Sequence, residues 1–372
     1  MSTVEWHDQN ILSPLTKGGN LPFRRLCVDF GARITMSEMA YARQIVRGSR
    51  SEMALLRKHE SETCFGVQVA AANPGQAVAA GRIAVERGAT FVDLNCGCPI
   101  HDVVRRGMGA TLLRRPKALA RVVEALAREL PVPITVKIRS GWKKNEVNAP
   151  EVARLCEEAG ASALTLHART REQRYSKQAD WELISTVAAD RKIPIIGNGD
   201  ILTWFEARMR REQSGCASVM IARGALIKPW IFRELAEANT WEPATRERIA
   251  IYRRFTGYMK EHFRDDAIGR ERAMRFLPWH LGFFWRYRPL PESLWGERAR
   301  QYPLLQTRME HEPDLPPLEL LLRDPREQVH QRLADALWDS EDDADAVQRF
   351  SEVAAELPSV AAEGREIKTS HG

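Results

Sequence analysis

The sequence predicts a (β/α)8 barrel of the TIM type followed by a small all-helical domain, and three observations predict it. Short β-branched or apolar runs alternate with longer helical stretches from Asn10 to about Leu235. That alternation makes eight strand–helix pairs in roughly 230 residues, the period and size of such a barrel. Strand signals stop after Trp241, and only amphipathic helical patterns follow. A doubly wound open sheet is the structural alternative, weakened by the absence of a GxGxxG fingerprint.

In chain order, the apolar or β-branched runs predict strands at 10–13, 33–36, 64–69, 91–95, 134–138, 163–167, 193–197 and 217–221. Helical patterning between them predicts helices at 22–30, in a broken stretch within 41–58, and at 75–86, 117–129, 150–159, 180–188, 203–211 and 228–238. Residues 1–240 are therefore read as the barrel. Further amphipathic stretches at 244–262, 268–287 and 325–337 place a helical domain at 241–338. The run Asp339-Ser340-Glu341-Asp342-Asp343-Ala344-Asp345 opens a segment, 339–372, read as an acidic, flexible tail, disordered or loosely helical.

Composition narrows the function classes. At 44% hydrophobic residues the 372-residue chain can bury a large core, and no apolar run approaches the ~18 residues of a membrane span. The N-terminus lacks a basic region followed by an apolar stretch, so a cytoplasmic protein is expected. Six scattered cysteines form no disulfide framework, which fits a reducing compartment. Cys96 and Cys98 have no second Cys/His pair nearby, so no metal site is expected. The net charge of +6 hides an asymmetry. Residues 339–372 hold nine acidic and three basic side chains, net −6, so the rest of the chain carries +12. A basic body suits a polyanionic partner such as RNA.

The most informative stretch is Asn95-Cys96-Gly97-Cys98-Pro99-Ile100-His101-Asp102, directly after the apolar run Phe91-Val92-Asp93-Leu94. Gly97 is read as the residue that turns the backbone and Pro99 as the one that stiffens the exit. Cys98 is then held on a short rigid loop at the carboxyl end of a strand, where barrel enzymes place their chemistry. Strand alternation turns Cys96 to the opposite face. The other strands also close on polar or permissive residues. They are Ser13-Pro14-Leu15, Gln68, Lys137, His167, Asn198-Gly199-Asp200 and the loop Ala222-Arg223-Gly224. A packed core alone does not require polar groups at so many equivalent ends.

Three motifs, taken together, resemble the dihydrouridine synthases, flavoenzymes that reduce uracil bases in RNA. They are the Cys98 loop with Val103-Val104-Arg105-Arg106-Gly107-Met108-Gly109-Ala110, then Arg169-Thr170-Arg171-Glu172-Gln173-Arg174-Tyr175, and Ala222-Arg223-Gly224-Ala225-Leu226-Ile227-Lys228-Pro229-Trp230. The last two are most similar to the eukaryotic branch that modifies the tRNA variable loop, although no cysteine–histidine cluster like that branch's zinc fingers is present. The resemblance implies FMN lined by Ser13, Pro14, Leu15, Gln68, Lys137, His167, Asn198, Gly199, Asp200, Ala222, Arg223 and Gly224. It implies NADPH or NADH as electron donor and tRNA or another structured RNA as substrate; a monomer with no membrane partner is expected.

The chemistry of the residues agrees. A lysine near the N1/O2 edge stabilises anionic reduced flavin, an amide such as Gln68 pairs its ring edge, and an arginine forks onto phosphate. Reducing C5=C6 of uracil takes hydride from flavin N5 to C6 and a proton to C5, which the family assigns to the cysteine matching Cys98. Asn95 is expected to hold the base edge. Arg139, Arg169 and Arg171 are expected to contact RNA, as are exposed charges at Arg43, Arg47, Arg50, Arg57 and Lys58 and, in the helical domain, at Arg275, Arg286, Arg288, Arg298 and Arg300. Other readings stay open: a non-catalytic RNA-binding protein on the same scaffold, a reductase of free pyrimidines, and, for Lys137 taken alone, an aldolase-type Schiff base.

Overall fold

One strand shows how the sequence builds the barrel. Along Phe91–Cys96, residues of period two divide between two cores. Phe91 packs inside with Trp6, Ile11, Ile34, Met36, Ala163, Ile196 and Met220, while Val92, Leu94 and Cys96 join the outer core under the helices. Asp93 and Asn95 continue the inward face above Phe91. The computed structural model describes residues 4–308 and 314–357.

Nine strands are present among the described residues: β1 (Ile11–Leu12), β2 (Ile34–Met36), β3 (Ala40–Tyr41), β4 (Cys64–Ala70), β5 (Phe91–Cys96), β6 (Ile134–Arg139), β7 (Ala163–His167), β8 (Ile195–Asn198) and β9 (Ser218–Ile221). All pair in parallel, in the order β2-β1-β9-β8-β7-β6-β5-β4, and β2 pairs with β4 to close an eight-stranded barrel. The expected strands are therefore all found. The ninth, β3, continues β2 along the same edge of β4 after a break at Ser37. The Ser37 hydroxyl bridges that break by accepting the Gln68 backbone N–H at 3.0 Å.

The bottom of the barrel is apolar. Trp6 meets Phe91 edge-on with ring centroids 5.1 Å apart. A Cβ at residue 66 would lie 2.2 Å from the Phe91 ring, so only Gly66 leaves room for that ring. Above this layer the lumen turns polar, which leaves the carboxyl ends of the strands for chemistry.

The helices around the barrel start where local chemistry satisfies their free N–H groups. Asn20, Asn73 and Asp180 cap three of them, and Thr203 with Glu206 forms a capping box. Two helical expectations need adjusting. The stretch 228–238 resolves into Ile231–Glu237 preceded by a separate turn, Arg223–Ile227. The stretch 268–287 breaks into Ala267–Ala273 and Leu277–Phe284, because Pro278 cannot donate to the preceding turn.

After the barrel, Thr245–Phe263 packs on Leu21–Asp29 and against Ala267–Ala273, Pro317–Leu322, Glu327–Asp339 and Asp343–Glu356, while Glu292–Gln301 packs on the barrel helix Trp204–Ser214. Among these, the expectation of a flexible tail from residue 339 does not hold for its first half. Asp343–Glu356 is a helix that buries Ala346, Phe350 and Val353 against Thr245–Phe263 and Glu327–Asp339. The Asp342 side chain caps it at the Asp345 N–H, and Asp343 and Asp345 lie in its first turn, where the helix dipole favours negative charge. What reads as a solvating charge run is the start signal of an amphipathic helix. Residues 358–372 lie outside the described residues. Among the described residues no helix is long and apolar enough to cross a membrane.

Candidate active site

The inward face of β5 ends at Asn95, and the Cys98 loop hangs from that side chain. Asn95 Oδ1 accepts the backbone N–H of Cys98 at 3.0 Å and of Gly97 at 3.3 Å, and its Nδ2 donates to Gln68 Oε1 at 2.8 Å. Asn95, expected to hold a base edge, is buried and spends its amide on the loop. The loop's tight packing comes from Gly109 rather than Gly97. Gly109 has φ +59, and a Cβ there would lie 2.8 Å from the Cys98 carbonyl oxygen. Gly97 keeps an ordinary φ, and a Cβ there would meet nothing closer than 3.5 Å. Ala110 N–H then donates to the Cys98 carbonyl at 3.1 Å.

Cys98 is half-buried, whereas Cys96 is fully buried on the outer face of β5. Burial pushes the Cys98 thiol's pKa up and outweighs the opposing pull of the Ile100 N–H and the Arg139 charge. The sulfur therefore keeps its proton at neutral pH, as a proton donor requires.

Across the mouth, β6 and β7 supply Lys137, Arg139 and His167. Lys137 Nζ donates to Asn198 Oδ1 at 2.9 Å, and Asn198 Nδ2 donates to the Met220 carbonyl at 2.8 Å. Burial lowers the Lys137 pKa to about 7, with Arg139 adding to the fall and Asp93 opposing it. His167 is held well below its ordinary value by burial and by Arg139, Lys137, Arg169 and Arg223. Arg139 falls to about 10 and Arg223 is also lowered, again chiefly by burial. Positive charge is thus crowded at one end of the barrel, with Asp93 and Asp200 as the carboxylates among it. That donor set fits an anionic, hydrogen-bonding ligand such as FMN, whose phosphate and reduced ring both carry negative charge.

Asp200 lies at the centre of the β8 side with φ +55. Its Oδ2 accepts from Arg169 at 2.5 Å, from the Ala179 N–H at 2.9 Å and from Gln306 at 2.9 Å, and its Oδ1 faces Arg223 at 3.4 Å. The carboxylate is therefore committed to holding two arginines and the segment Leu304–Gln306. Arg223 lies 4.3 Å from the centre of the half-exposed Tyr175 ring, which also neighbours His167. Ser13 is buried, with Pro14 and Leu15 half-buried beside it, and Ala222 and Gly224 line the last turn. A Cβ at residue 224 would lie 2.3 Å from the Ile201 carbonyl oxygen, and Gly199 has φ +136, so both positions require glycine.

Two of the arginines expected to touch RNA are internal clamps. Arg139 donates to the carbonyls of Gly97, Thr170 and Arg174, tying the Cys98 loop to the loop after β7. Arg169 is buried and donates to the Lys177 carbonyl as well as to Asp200. Arg171 is half-buried and stacks on Trp142 at 4.7 Å. By contrast Arg43, Arg47, Arg50, Arg57, Lys58, Arg174 and Lys177 are exposed. Sequence reasoning missed Asp93, Thr135, Gly109, Tyr175 and Gln306. For Asp93 a signal existed: a charged residue on the same strand face as Asn95, between two apolar neighbours.

A family model described as dihydrouridine synthase matches residues 11–283. The chain belongs to that family. It is 43% identical over 304 residues to a protein of Cryptococcus neoformans var. neoformans serotype D (strain B-3501A) named tRNA-dihydrouridine(47) synthase [NAD(P)(+)], covering 77% of this chain and 42% of that one. It is also 43% identical over 283 residues to the Homo sapiens protein named tRNA-dihydrouridine(47) synthase [NAD(P)(+)]-like, covering 75% of this chain and 43% of that one. The chain thus spans less than half the length of these relatives. Among solved structures it shares its fold with the 6-hydroxypseudooxynicotine amine oxidase of Pseudomonas geniculata N1, at a TM-score of 0.51 and 10% identity over 71% of this chain and 52% of that one.

Proposed function

We propose that this chain is an FMN-dependent reductase of uridine in tRNA, forming dihydrouridine at the expense of NADPH or NADH. The observation that carries the reading is the Cys98 thiol, half-buried on a loop held by Asn95, at the same end of the barrel as Lys137, His167 and Arg223. When bound and reduced, FMN supplies hydride to C6 of the uracil. Cys98 gives the proton to C5, and its raised pKa keeps that proton available. Lys137 would hold negative charge at the flavin ring, Gln68 and Asn198 would line it, and Arg223 with the Gly199 and Gly224 backbone would receive the phosphate. Asp200 keeps Arg223 in place. The exposed cations Arg43, Arg47, Arg50, Arg57 and Lys58 are suited to tRNA phosphates, as are Arg298 and Arg300 on the helix Glu292–Gln301.

The helical region 241–338 is assigned to tRNA docking, with the barrel 1–240 carrying the flavin chemistry. The relatives' names make the uridine at position 47 the first target to assay. The test is to incubate the purified protein with FMN, NADPH and an unmodified tRNA transcript and to measure dihydrouridine by mass spectrometry of the digested RNA. Dihydrouridine at a defined position is expected. A protein that takes up no FMN and forms none would overturn the reading.

A further inference from the structure

Below the mouth, a chain of side-chain hydrogen bonds runs from a fully buried carboxylate to the Cys98 loop. Thr135 Oγ1 donates to Asp93 Oδ1 at 2.6 Å, and Gln68 Nε2 donates to Asp93 Oδ2 at 2.8 Å. Gln68 Oε1 accepts from Asn95 Nδ2 at 2.8 Å, and Asn95 Oδ1 accepts the Cys98 and Gly97 N–H groups. Asp93, Gln68 and Asn95 come from the neighbouring strands β4 and β5, with Gln68 directly opposite Asp93 in the register.

The two ends of this chain are chemically one-way. An ionised carboxylate only accepts, and a backbone N–H only donates. Two carboxamides placed between them satisfy every group in one arrangement alone, with both amides pointing their nitrogens toward Asp93. A carboxamide's two ends are nearly identical in shape, so packing does not choose between its orientations. Reversing either amide sets donor against donor or oxygen against oxygen, and reversing Asn95 aims an NH2 group at two N–H groups. Without the acceptor at its base, Gln68 is held in the required sense only from the loop end, and its Nε2 loses its partner.

We propose that Asp93 is a positioning residue that sets the direction of this buried relay and so holds the Cys98 loop in its working geometry. Asp93 does not touch the substrate or the reacting atoms; it acts through Gln68 and Asn95. The value of this to catalysis rests on Cys98 being the proton donor. The position of the carboxylate supports the assignment. It is 0% exposed, and burying a carboxylate is costly unless it is paired or hydrogen-bonded. Burial lifts its pKa only to about 6 because Thr135, Gln68 and Lys137 favour the ionised form.

The test is amide hydrogen exchange of the full chain, read on peptides covering Gly97 and Cys98 and, as controls, on β4 and β6. Asp93→Leu removes the acceptor, and Asn95→Leu removes the last link. Each should speed exchange at the loop about fivefold to tenfold, the scale of one broken hydrogen bond, while β4 and β6 stay protected. The double variant should exchange no faster than Asn95→Leu alone, since both act through one chain. Asp93→Asn should stay close to the parent, because its oxygen can face Gln68 while its NH2 turns to the Thr135 oxygen. In turnover, Asp93→Leu should lower kcat with KM for tRNA unchanged. Loop protection left intact by Asp93→Leu, or effects that multiply in the double variant, would overturn the proposal. If Asp93→Leu fails to fold, Gln68→Leu breaks the same chain one link up, and unchanged loop exchange there overturns it equally. Because exchange is read without catalysis, a protein that forms no dihydrouridine but shows this pattern would refute the functional reading and leave the relay standing.

Discussion

The barrel mouth and the C-terminal helices are both rich in arginine, yet they use it in opposite ways. At the mouth, Arg139 and Arg169 are buried and bonded to carbonyls or to Asp200. On the helix Glu292–Gln301, Arg298 and Arg300 are exposed, and Arg275 is exposed beside Glu271. Arg286 and Arg288, read from sequence as exposed, are half-buried, and Arg288 donates to the Trp285 and Tyr287 carbonyls. An arginine following a strand is thus as readily a clamp between loops as a ligand for phosphate. Desolvated guanidinium groups are held in fixed geometry by the hydrogen bonds that offset their burial, whereas solvated ones stay free to meet a partner.

Four experiments put this contrast between the two regions at risk. The largest effect belongs to the group the clamps position. Cys98→Ala should cut dihydrouridine formation by ~10²–10⁴, with flavin content nearly unchanged. Cys96→Ala, on the outer face of β5, should remain active. Loss of activity in the second variant rather than the first would reassign the proton donor.

Breaking a clamp comes next. Arg169→Met leaves Asp200 buried without its main partner, which should cost about 3–5 kcal/mol in denaturant unfolding. The exposed Arg298→Ala should change stability by less than ~0.5 kcal/mol. Equal losses at the two positions would erase the distinction between the regions.

The crowding of charge at the mouth predicts a pH dependence. Lys137 titrates at about 7 in the folded chain, below its ordinary 10.5. Between these values the unfolded chain holds a proton that the folded one lacks, so this group's contribution makes stability rise with pH across that window. An anion bound beside Lys137 draws the proton back. Affinity for reduced FMN, whose ring is the anion, should therefore fall as pH rises from about 7 toward 9, by at most ~10-fold per unit, in an anaerobic binding titration. Lys137→Met should flatten the profile. A pH-independent affinity in the parent would place the flavin's charge away from Lys137.

The smallest effect is expected in the helical region. Replacing Arg298 and Arg300 by alanine should lower the log–log salt slope of tRNA binding by ~0.7–0.9 for each phosphate no longer neutralised. FMN content should not move. An unchanged slope would make these helices supports for the barrel and not a docking surface.

Backbone and side chain differ in how far the sequence reveals them. Strand β5 can be read almost to the residue, because Phe91, Val92 and Leu94 are apolar and the alternation sends Asn95 and Cys96 to opposite faces. The helix Asp343–Glu356 escapes such a reading because five acids within the seven residues 339–345 look like a solvated segment. Phe350 and Val353, which anchor it, gain their meaning only from the helices they pack against. Gly97 has the sequence position of a turn residue, while the close approach is made by Gly109, which lies further along the chain and meets the Cys98 carbonyl in space.

Sequence alone suffices for the barrel, for the succession of its eight strands along the chain, and for the placing of Cys98, Lys137, His167 and Asn198 at one end. These follow from periodicity and from strand direction, which are local and repeat along the chain. Which polar groups face a ligand and which face one another is settled only once the barrel closes. Asn95 turns to its own loop, Asp200 to two arginines, and Asp93 to an amide relay, because a buried donor or acceptor must find its partner among whatever the fold brings within hydrogen-bonding distance. Those partners can be near in sequence, as with Asn95 and Gly97, or far apart, as with Asp200 and Gln306, and no local pattern encodes the distant meetings.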